Sequence, residues 1–374
     1  MKMTNEELQA KLDLHKLWYN SSGIEGERLT LRDEDLSKAD LSGAFLRCAD
    51  LKGANMQNAL LQGADLQNAL LRRANLTRAC LDGADLSNVQ AMYACLEHAS
   101  LKKAKLENAY LSLANLTWAN LEESEASKVN LDSARLVSAN LAEAILEKAT
   151  IRDSNLQLSI FQGAYMQECD LARADMRSSC FAYAYLVTAN MPEVNATGAD
   201  FTGANMCDAY LTGANFTDAL LTLTECSSAT MRKVCFKNAR ITEASFEGTL
   251  LPETNWDFVV LANVKMDAAD ITDAGMSKAT LAKTSLQYTR WERTILPLGC
   301  YKAVLGTYQL LYNSKSNEVY SSCDDDVEFS TNADEFFRDI QSRYGVRGTT
   351  PNPCLLKEIK AALSFFKRLN QSSN

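Results

Sequence analysis

Residues 54–88 read ANMQN ALLQG ADLQN ALLRR ANLTR ACLDG ADLSN, and this stretch decides the fold. In each group of five, the third residue is large and apolar and the first is alanine. The same phase runs from Leu31 to Leu296, where Leu, Met or Phe fills 45 of 54 central positions. Neither a helix of 3.6 residues per turn nor a flat strand of period two gives a period of five.

A period of five with two apolar positions indicates a chain that coils around one core and turns a repeated corner. The central residue is expected to point inward, and the residue two places earlier to fill the corner. That earlier residue is Ala at 35 of the 54 units, as a crowded corner requires. The other three residues face solvent. Because solenoids grow by adding units rather than domains, the expected fold class is an all-β solenoid.

The individual units carry a family resemblance. Units such as ADLSG (39–43), ADLQN (64–68) and ANMCD (204–208) resemble the pentapeptide-repeat family, whose unit is Ala-(Asp/Asn)-Leu-x-x. The resemblance implies a right-handed quadrilateral β-helix with four five-residue units in each coil. Fifty-four units then correspond to about 13 coils.

The chain divides into three predicted parts. Residues 1–28 are expected to form an N-terminal helix and loop cap, opened by a capping box of Thr4 and Glu7. Residues 29–296 form the repeat. Residues 297–374 form a small C-terminal α/β domain, with a strand-like stretch at 301–312, a hairpin turn at 314–317 and helices over 332–344 and 352–369.

The two ends of the chain carry a second resemblance. A helix with His15 and Trp18, a glycine-containing loop, the repeat and a strand-and-helix tail are similar to pentapeptide-repeat proteins of bacteriophages and prophages. This resemblance implies a bacterial host cytoplasm.

Two columns of residues mark the corners of the predicted coil. Five glycines stand two places after a centre and are separated by 20 residues or a multiple of 20: Gly43, Gly63, Gly83, Gly163 and Gly203. Because glycine readily adopts a positive φ, we expect that conformation at this position. Asparagines stand one place before a centre on the adjacent face, where stacked amides can bond coil to coil: Asn55, Asn75, Asn115, Asn155, Asn195, Asn215 and Asn255. Both columns predict structural roles.

The bulk composition favours a soluble cytoplasmic protein. The 11 cysteines are scattered without a C-x-x-C pair, which is typical of free thiols in a reducing compartment. The N-terminus has no apolar signal segment, and no stretch of about 18 apolar residues predicts a membrane span. A net charge of −9 argues against direct binding to nucleic acid or to anionic membranes.

No catalytic constellation is apparent. Only two histidines occur, His15 and His98, without metal-ligand spacing, and no phosphate-binding glycine loop or nucleophile elbow is present. Solenoid faces are nearly flat, whereas a catalytic pocket needs concavity. We therefore expect no enzyme activity, no cofactor and no bound metal.

The unbroken phase assigns every exposed charge to one of four faces. The first face is centred on Leu31 and on every fourth centre after it, and the second, third and fourth start at Leu36, Leu41 and Leu46. The first carries ten acidic and ten basic residues, the second five and six, the third seven and four, and the fourth ten and five. The candidate interaction face is the fourth, with Asp65, Asp85, Glu107, Glu125, Glu147, Glu168, Asp208, Glu225, Glu247 and Asp267.

These patterns predict a non-enzymatic protein-binding rod. It would engage a cellular protein through its acidic third and fourth faces or through its C-terminal domain. The alternative, implied by the family resemblance, is a DNA mimic that occupies DNA gyrase or another DNA-handling enzyme. Duplex DNA carries about one charge per 1.7 Å, far more than this repeat, and no loop interrupts the repeat as in gyrase-protecting relatives.

The last predicted helix offers a second surface. It carries an apolar stripe that either seals the final coil or forms a homodimer or partner contact: Leu355, Leu356, Ile359, Leu363 and Phe366.

Overall fold

The computed structural model describes residues 3–286, 288–297, 300–305, 308–313, 318–322, 338, 342, 356–357 and 359–364. The chain divides into two compact units, Met1–Phe216 and Thr217–Asn374.

The first unit begins with helix α1 (Asn5–Asn20), and the predicted capping box is confirmed. The Thr4 hydroxyl accepts a hydrogen bond from the Glu7 amide at 3.2 Å, and the Glu7 carboxylate accepts one from the Thr4 amide at 2.9 Å. The helix meets the repeat through His15, whose Nδ1 accepts the buried Leu29 amide at 3.0 Å. The His15 ring stacks on Trp18 of the same helix and lies 5.9 Å from the Phe45 ring of the repeat, so one side chain contacts both helix and repeat.

Parallel bridges in the repeat of the first unit join each residue before a centre to its equivalent four units later, as between Asn55 and Asn75. From Leu31 to Ala196, the backbone amide of each centre donates to a carbonyl of the next coil, as from Leu66 to Asp85 at 2.7 Å. A tight turn follows each centre, closed by a bond such as that from the Ala69 amide to the Leu66 carbonyl at 2.9 Å. One coil therefore holds four five-residue units, as the family resemblance implies.

The core lies along the axis of the coils. In the first unit every centre from Leu31 to Phe216 is buried, and the small residue two places earlier is buried from Ala49 onward. The first coil departs from this rule: Glu34 is exposed and Ala39 and Ala44 are half-buried. Helix α1, rather than another coil, precedes this one, so its corners are less covered than those that follow.

The corner position adopts a left-handed conformation whatever residue occupies it. The predicted positive φ at Gly63 is 63°, but Asn68 (58°) and Arg73 (61°) have the same backbone conformation. A non-glycine residue there costs roughly 1–2 kcal/mol. The coil-to-coil bonds of every unit offset this cost, so the sequence does not need glycine at each corner.

The asparagine column mainly caps turns. The side-chain Nδ2 of Asn75 donates to the side-chain Oδ1 of Asn55 at 3.2 Å, as predicted for a ladder of stacked asparagines. The more frequent bond is local: the side-chain oxygens of Asn75, Asn155 and Asn195 each accept the backbone amide two residues further on. Asparagine is favoured here because its side chain closes the turn.

The second unit continues the same register with short regular strands on one face. Strands β1 (Arg240–Thr242), β2 (Val260–Ala262) and β3 (Thr280–Ala282) pair in parallel, each one coil after the last. Trp256 is fully buried, and its Nε1 donates to the Thr254 hydroxyl at 2.7 Å. Threonines two places before a centre, such as Thr249, donate to a backbone carbonyl. This bond explains why Thr can replace Ala at that position.

Three antiparallel strands follow the repeat: β4 (Cys300–Leu305), β5 (Tyr308–Asn313) and β6 (Glu318–Ser322). The stretch predicted as strand-like is thus two strands. The predicted turn at 314–317 lies outside the described residues, as does most of both predicted helices. The Asn313 side chain donates to the Leu281 carbonyl of β3 at 3.2 Å, so this sheet contacts the last coils of its own unit.

Candidate protein-interaction faces

The fourth face of the first unit is built on one continuous ladder. Successive bridges link its residues one place before each centre in the order Phe45, Asp65, Asp85, Lys105, Glu125, Ile145, Tyr165, Tyr185 and Asn205. Candidate acids Asp65, Asp85 and Glu125 therefore lie in a single column. Glu107, Glu147, Glu168 and Asp208 lie in the turns that follow the centres of the same face, and all four are exposed.

Few of these acids are neutralised by a cation. Arg47 pairs with Asp65 at 2.5 Å, and Lys148 pairs with Glu168 at 3.5 Å. Among the described residues, the other five candidate acids of this unit form no ion pair: Asp85, Glu107, Glu125, Glu147 and Asp208. Five of the seven acids on the fourth face of this unit therefore carry charges that no ion pair neutralises within the described residues.

Asp85 is held in its charged form mainly by neutral partners. Burial opposes ionisation of this carboxyl, but hydrogen bonds from Ser87 and the Gln67 side chain outweigh it and keep its pKa below the ordinary value. Asp85 is therefore a fixed charge at neutral pH.

The first face of the same unit has the opposite arrangement. Arg152 reaches Asp170 at 2.6 Å, and Arg173 forms two bonds of 2.7 Å to Asp153. Asp50 is buried, and it accepts a 2.6 Å contact from Arg32. The acid and the base of each pair lie on adjacent coils. Three of the six acids on this face of the unit thus form local pairs with arginines.

The second unit shows the same contrast over fewer coils. On its first face, Arg293 pairs with Asp273 at 2.6 Å, and Glu253 receives both Arg232 and Lys233. On its fourth face, the candidate acids are Glu225, Glu247 and Asp267. Asp267 accepts a hydrogen bond from Ser285, and the part of the chain that the structure describes gives Glu225 and Glu247 no ion pair.

The third face is intermediate. Lys102 pairs with Glu122 at 3.1 Å and Lys103 with Glu123 at 3.3 Å. Its remaining acids lie singly along the column, among them the exposed Glu143. The third face therefore adds charge beside the fourth without forming a second continuous strip.

Charge counting missed an aromatic cluster on the fourth face. Ile145, Tyr165 and Tyr185 occupy three successive coils of its ladder, and all three are exposed. The rings of Tyr165 and Tyr185 stack in parallel, with centroids 5.0 Å apart. The signal was present in the sequence as apolar residues one coil apart at a solvent-facing position.

The candidate C-terminal helix is described only in part. Ile359 and Leu363 are buried and Leu356 is half-buried. Leu355 and Phe366 lie outside the described residues. The role of this helix as a dimer or partner contact stays a prediction.

The histidines and cysteines do not form a cluster of metal ligands among the described residues. Within the described ranges, no three His, Cys, Asp or Glu side chains come together as metal ligands would. His98 stacks on the exposed Trp118, and Cys169 is buried, where desolvation raises the pKa of its thiol to about 12. No helix among the described residues is long and apolar enough to cross a membrane.

Several solved structures are similar to this chain. HetL, a pentapeptide repeat protein involved in heterocyst differentiation regulation in the cyanobacterium Nostoc sp. strain PCC 7120, is 23% identical, with 77% of this chain and 96% of that chain covered and a TM-score of 0.20. QnrB1, a plasmid-mediated fluoroquinolone resistance protein, is 18% identical over 55% of this chain and 88% of its own, with a TM-score of 0.28. A pentapeptide repeat protein of the Arabidopsis thaliana thylakoid lumen is 27% identical over 36% of this chain and 66% of its own, with a TM-score of 0.13.

The repeat itself identifies the family. No curated protein matches the chain. The family model for pentapeptide repeats matches residues 35–88 and 92–248, which is more than half of the sequence. Members of this family fold as right-handed quadrilateral β-helices, in agreement with the four-unit coils described above. The chain therefore belongs to the pentapeptide-repeat family, as its five-residue units predict.

Proposed function

We propose that this protein is a non-enzymatic binding protein whose fourth face receives a basic surface of a cellular protein. The observation that carries the proposal is the difference in charge pairing between faces. On the first face of the first unit, three of the six acids pair with arginines of adjacent coils. On the fourth face, only two of the seven acids form an ion pair among the described residues, and Glu107, Glu125 and Glu147 are among those that form none. A basic partner would supply the missing charge and would be steered to this face.

The third face belongs to the same proposal in a supporting role. Glu143 and other single acids beside the fourth face extend the negative field toward an approaching partner. The C-terminal domain is a second proposed contact, through the stripe that includes Leu356.

The test uses charge reversal at acids that hold no structural bond. Glu107→Lys with Glu147→Lys reverses two unpaired charges on the fourth face. Glu193→Lys with Glu292→Lys makes the same change on the first face, at exposed acids that also form no ion pair among the described residues. Immobilised wild-type and variant proteins are exposed to a lysate of the native cell, and retained proteins are identified by mass spectrometry.

We expect one protein to be retained by the wild type and by the first-face variant, and to be lost with the fourth-face variant. Raised salt should release it, because contacts between exposed charges are screened beyond a Debye length of about 8–10 Å. Equal retention by all three proteins would contradict the proposal.

DNA mimicry is the second candidate function, favoured by the column of carboxylates at Asp65 and Asp85. Its difficulty is magnitude: on the first unit's fourth face, seven acids alternate with Arg47, Lys105, Lys128 and Lys148. Duplex DNA carries about one charge per 1.7 Å without interruption. A supercoiling assay with DNA gyrase tests this candidate. Inhibition or protection at micromolar protein would favour mimicry, and unchanged activity would exclude gyrase as the partner.

We further propose that both ends of the repeat are capped and that about 13 coils lie between the caps. At the start, His15 accepts the Leu29 amide, which has no preceding coil to bond. At the end, the Asn313 side chain donates to the carbonyl of Leu281. Such caps keep open coil edges from pairing with other chains. A cytoplasmic location is proposed because the cysteines are scattered along the sequence without a C-x-x-C pair, which is typical of thiols in a reducing compartment.

A further inference from the structure

We infer that the aromatic cluster on the fourth face of the first unit is the anchor of the interface, and that it binds an arginine side chain of the protein partner. The cluster described above consists of Ile145, Tyr165 and Tyr185. We add Tyr183, which lies on the third face two residues before Tyr185 in the chain. This inference rests on the proposed function and deepens it, because it names the residue type that the acidic face receives.

The cluster is an exposed apolar surface on an otherwise polar strip. Ile145 is 37% exposed, Tyr165 41%, Tyr185 43% and Tyr183 56%. Three of the four are consecutive in one ladder, and the Tyr165 and Tyr185 rings lie within 3° of parallel. Stacking fixes these rings, so a partner that binds them loses little additional side-chain entropy. Tyrosines in such settings are enriched among the residues that dominate protein interfaces.

On the third face, Tyr183 and Glu143 both lie over glycines of the next coil. Tyr183 lies over Gly203, where an added Cβ would come within 2.6 Å of the ring. Gly163 occupies the same corner column one coil before Tyr183, and Glu143 stands one coil before Gly163. A Cβ on Gly163 would lie 3.4 Å from the Glu143 side chain. The Glu143 side chain therefore lies over Gly163, one coil before Tyr183, so a carboxylate and an aromatic ring stand on nearby coils of one column.

The charges beside the cluster select a cation. Glu143 and Glu147 are exposed and form no ion pair within the described ranges, whereas Glu168 pairs with Lys148 at 3.5 Å. These acids disfavour nucleic acid bases as the stacked ligand, since the phosphates would be repelled. A guanidinium fits both features at once, because it stacks on an aromatic face and pairs with a carboxylate in two parallel bonds. Lysine offers only a point charge and no planar group to stack.

The test measures where blocked peptides bind on the full-length protein. The probes are acetyl-Gly-Arg-Gly-amide and its lysine counterpart, titrated into protein labelled with ¹³C-tyrosine. Ring signals are assigned with the single Tyr-to-Phe variants at Tyr165, Tyr183 and Tyr185. We expect the arginine peptide to shift these three ring signals, and the lysine peptide to need several-fold higher concentrations for the same shift.

Variants separate the anchor from the acidic face. Tyr165→Ala with Tyr183→Ala should weaken binding of the arginine peptide about tenfold. The matched control, Tyr110→Ala with Tyr210→Ala, removes two equally exposed tyrosines from the first face and should leave binding unchanged. Glu143→Gln with Glu147→Gln should also weaken binding, by removing the carboxylates. Thermal unfolding of each variant checks that the coils remain intact.

The outcomes distinguish the two levels of the proposal. If the tyrosine variant binds as the wild type does while the glutamate variant loses binding, the aromatic anchor is wrong and the acidic-face function survives. If neither variant changes binding, or if the peptide shifts other tyrosines instead, the inference is overturned. If the cellular partner is retained by the fourth-face charge-reversal protein described above, the proposed function itself fails.

Discussion

The first and fourth faces of the first unit stand on the same coils and differ in how their charges are arranged along the axis. On the first face, arginines stand one coil away from aspartates, so Arg152 and Arg173 meet Asp170 and Asp153. On the fourth face, Lys105 stands one coil from both Asp85 and Glu125 but forms no ion pair with either among the described residues. Glu107 and Glu147 hold the same position as Ser127, on the coils before and after it. The comparison teaches that the register of charges, as well as their number, decides whether a solenoid face is available to a partner.

Both faces are held in place by the same core, so a cavity in that core should have the largest effect on stability. Phe181 is fully buried between Phe161 and Phe201, with ring centroids at 4.7 and 5.1 Å. Phe181→Ala should lower the free energy of unfolding of the surrounding coils by about 3–5 kcal/mol. Hydrogen exchange, followed peptide by peptide, measures this loss. The control Tyr210→Ala, on the surface, should change it by about 0.5 kcal/mol or less.

The faces keep their register only if the first coil is fixed, and His15 provides one such fixed point. His15→Phe fills the same space but leaves the buried Leu29 amide without an acceptor. An unpaired buried donor costs about 1–3 kcal/mol, so the N-terminal coils should open more readily. Hydrogen exchange of residues 29–49 measures the change. Protection equal to that of the wild type would mean that this bond does not hold the end of the repeat.

The same contact predicts a pH dependence. Burial lowers the pKa of His15 below its ordinary value of 6.5, so the folded state binds the proton more weakly than the unfolded state. The stability contributed by neutral His15 should be complete above pH 6.5 and should be lost as the pH falls below it. The NMR signal of the Leu29 amide, followed from pH 8 to pH 5, should change below pH 6.5. In His15→Phe the ring no longer titrates, and this pH dependence should disappear.

The smallest expected effect comes from removing ion pairs on the first face, so that its acids become unpaired like those of the fourth face. Arg152→Ala with Arg173→Ala should free Asp170 and Asp153 and raise the affinity of a hexalysine peptide about threefold at low salt. The control Arg72→Ala with Arg73→Ala changes the net charge equally, but removes arginines that lie near the Tyr93 ring rather than in ion pairs. An equal rise in both variants would mean that net charge alone, without pairing, sets the availability of a face.

Much of the fold follows from the sequence, because a five-residue period with an apolar centre requires a chain that coils around one core. The four-unit coil, which the family resemblance implies, places Asp65 and Asp85 in one column, and the glycine column predicts the positive φ of Gly63. It did not show that Arg73 adopts the same backbone conformation, because that conformation is imposed by the coil rather than by the residue. The contact of His15 with Leu29 depends on how α1 docks, which no periodic pattern encodes.

The candidate site was predicted less completely than the fold. Counting charges gave the acidic balance of the fourth face, but the pairing on the first face depends on which exposed position each residue occupies. The aromatic cluster was overlooked because only charged residues were compared between coils, although Tyr165 and Tyr185 stand at the same position of successive coils. Beyond Pro297 the period ends, and no register remains from which to assign side chains to faces.

Carboxyl footprinting of the protein with and without its captured partner tests the central claim most directly. Exposed carboxylates are coupled to glycine ethyl ester by a water-soluble carbodiimide, and the extent of labelling at each residue is read by mass spectrometry. We predict that Glu107, Glu125 and Glu147 are labelled in the free protein and protected in the complex, while Asp153 and Glu193 are labelled equally in both. Protection confined to the first face, or no protection on the fourth, would contradict the claim that the unpaired acids of the fourth face form the binding surface.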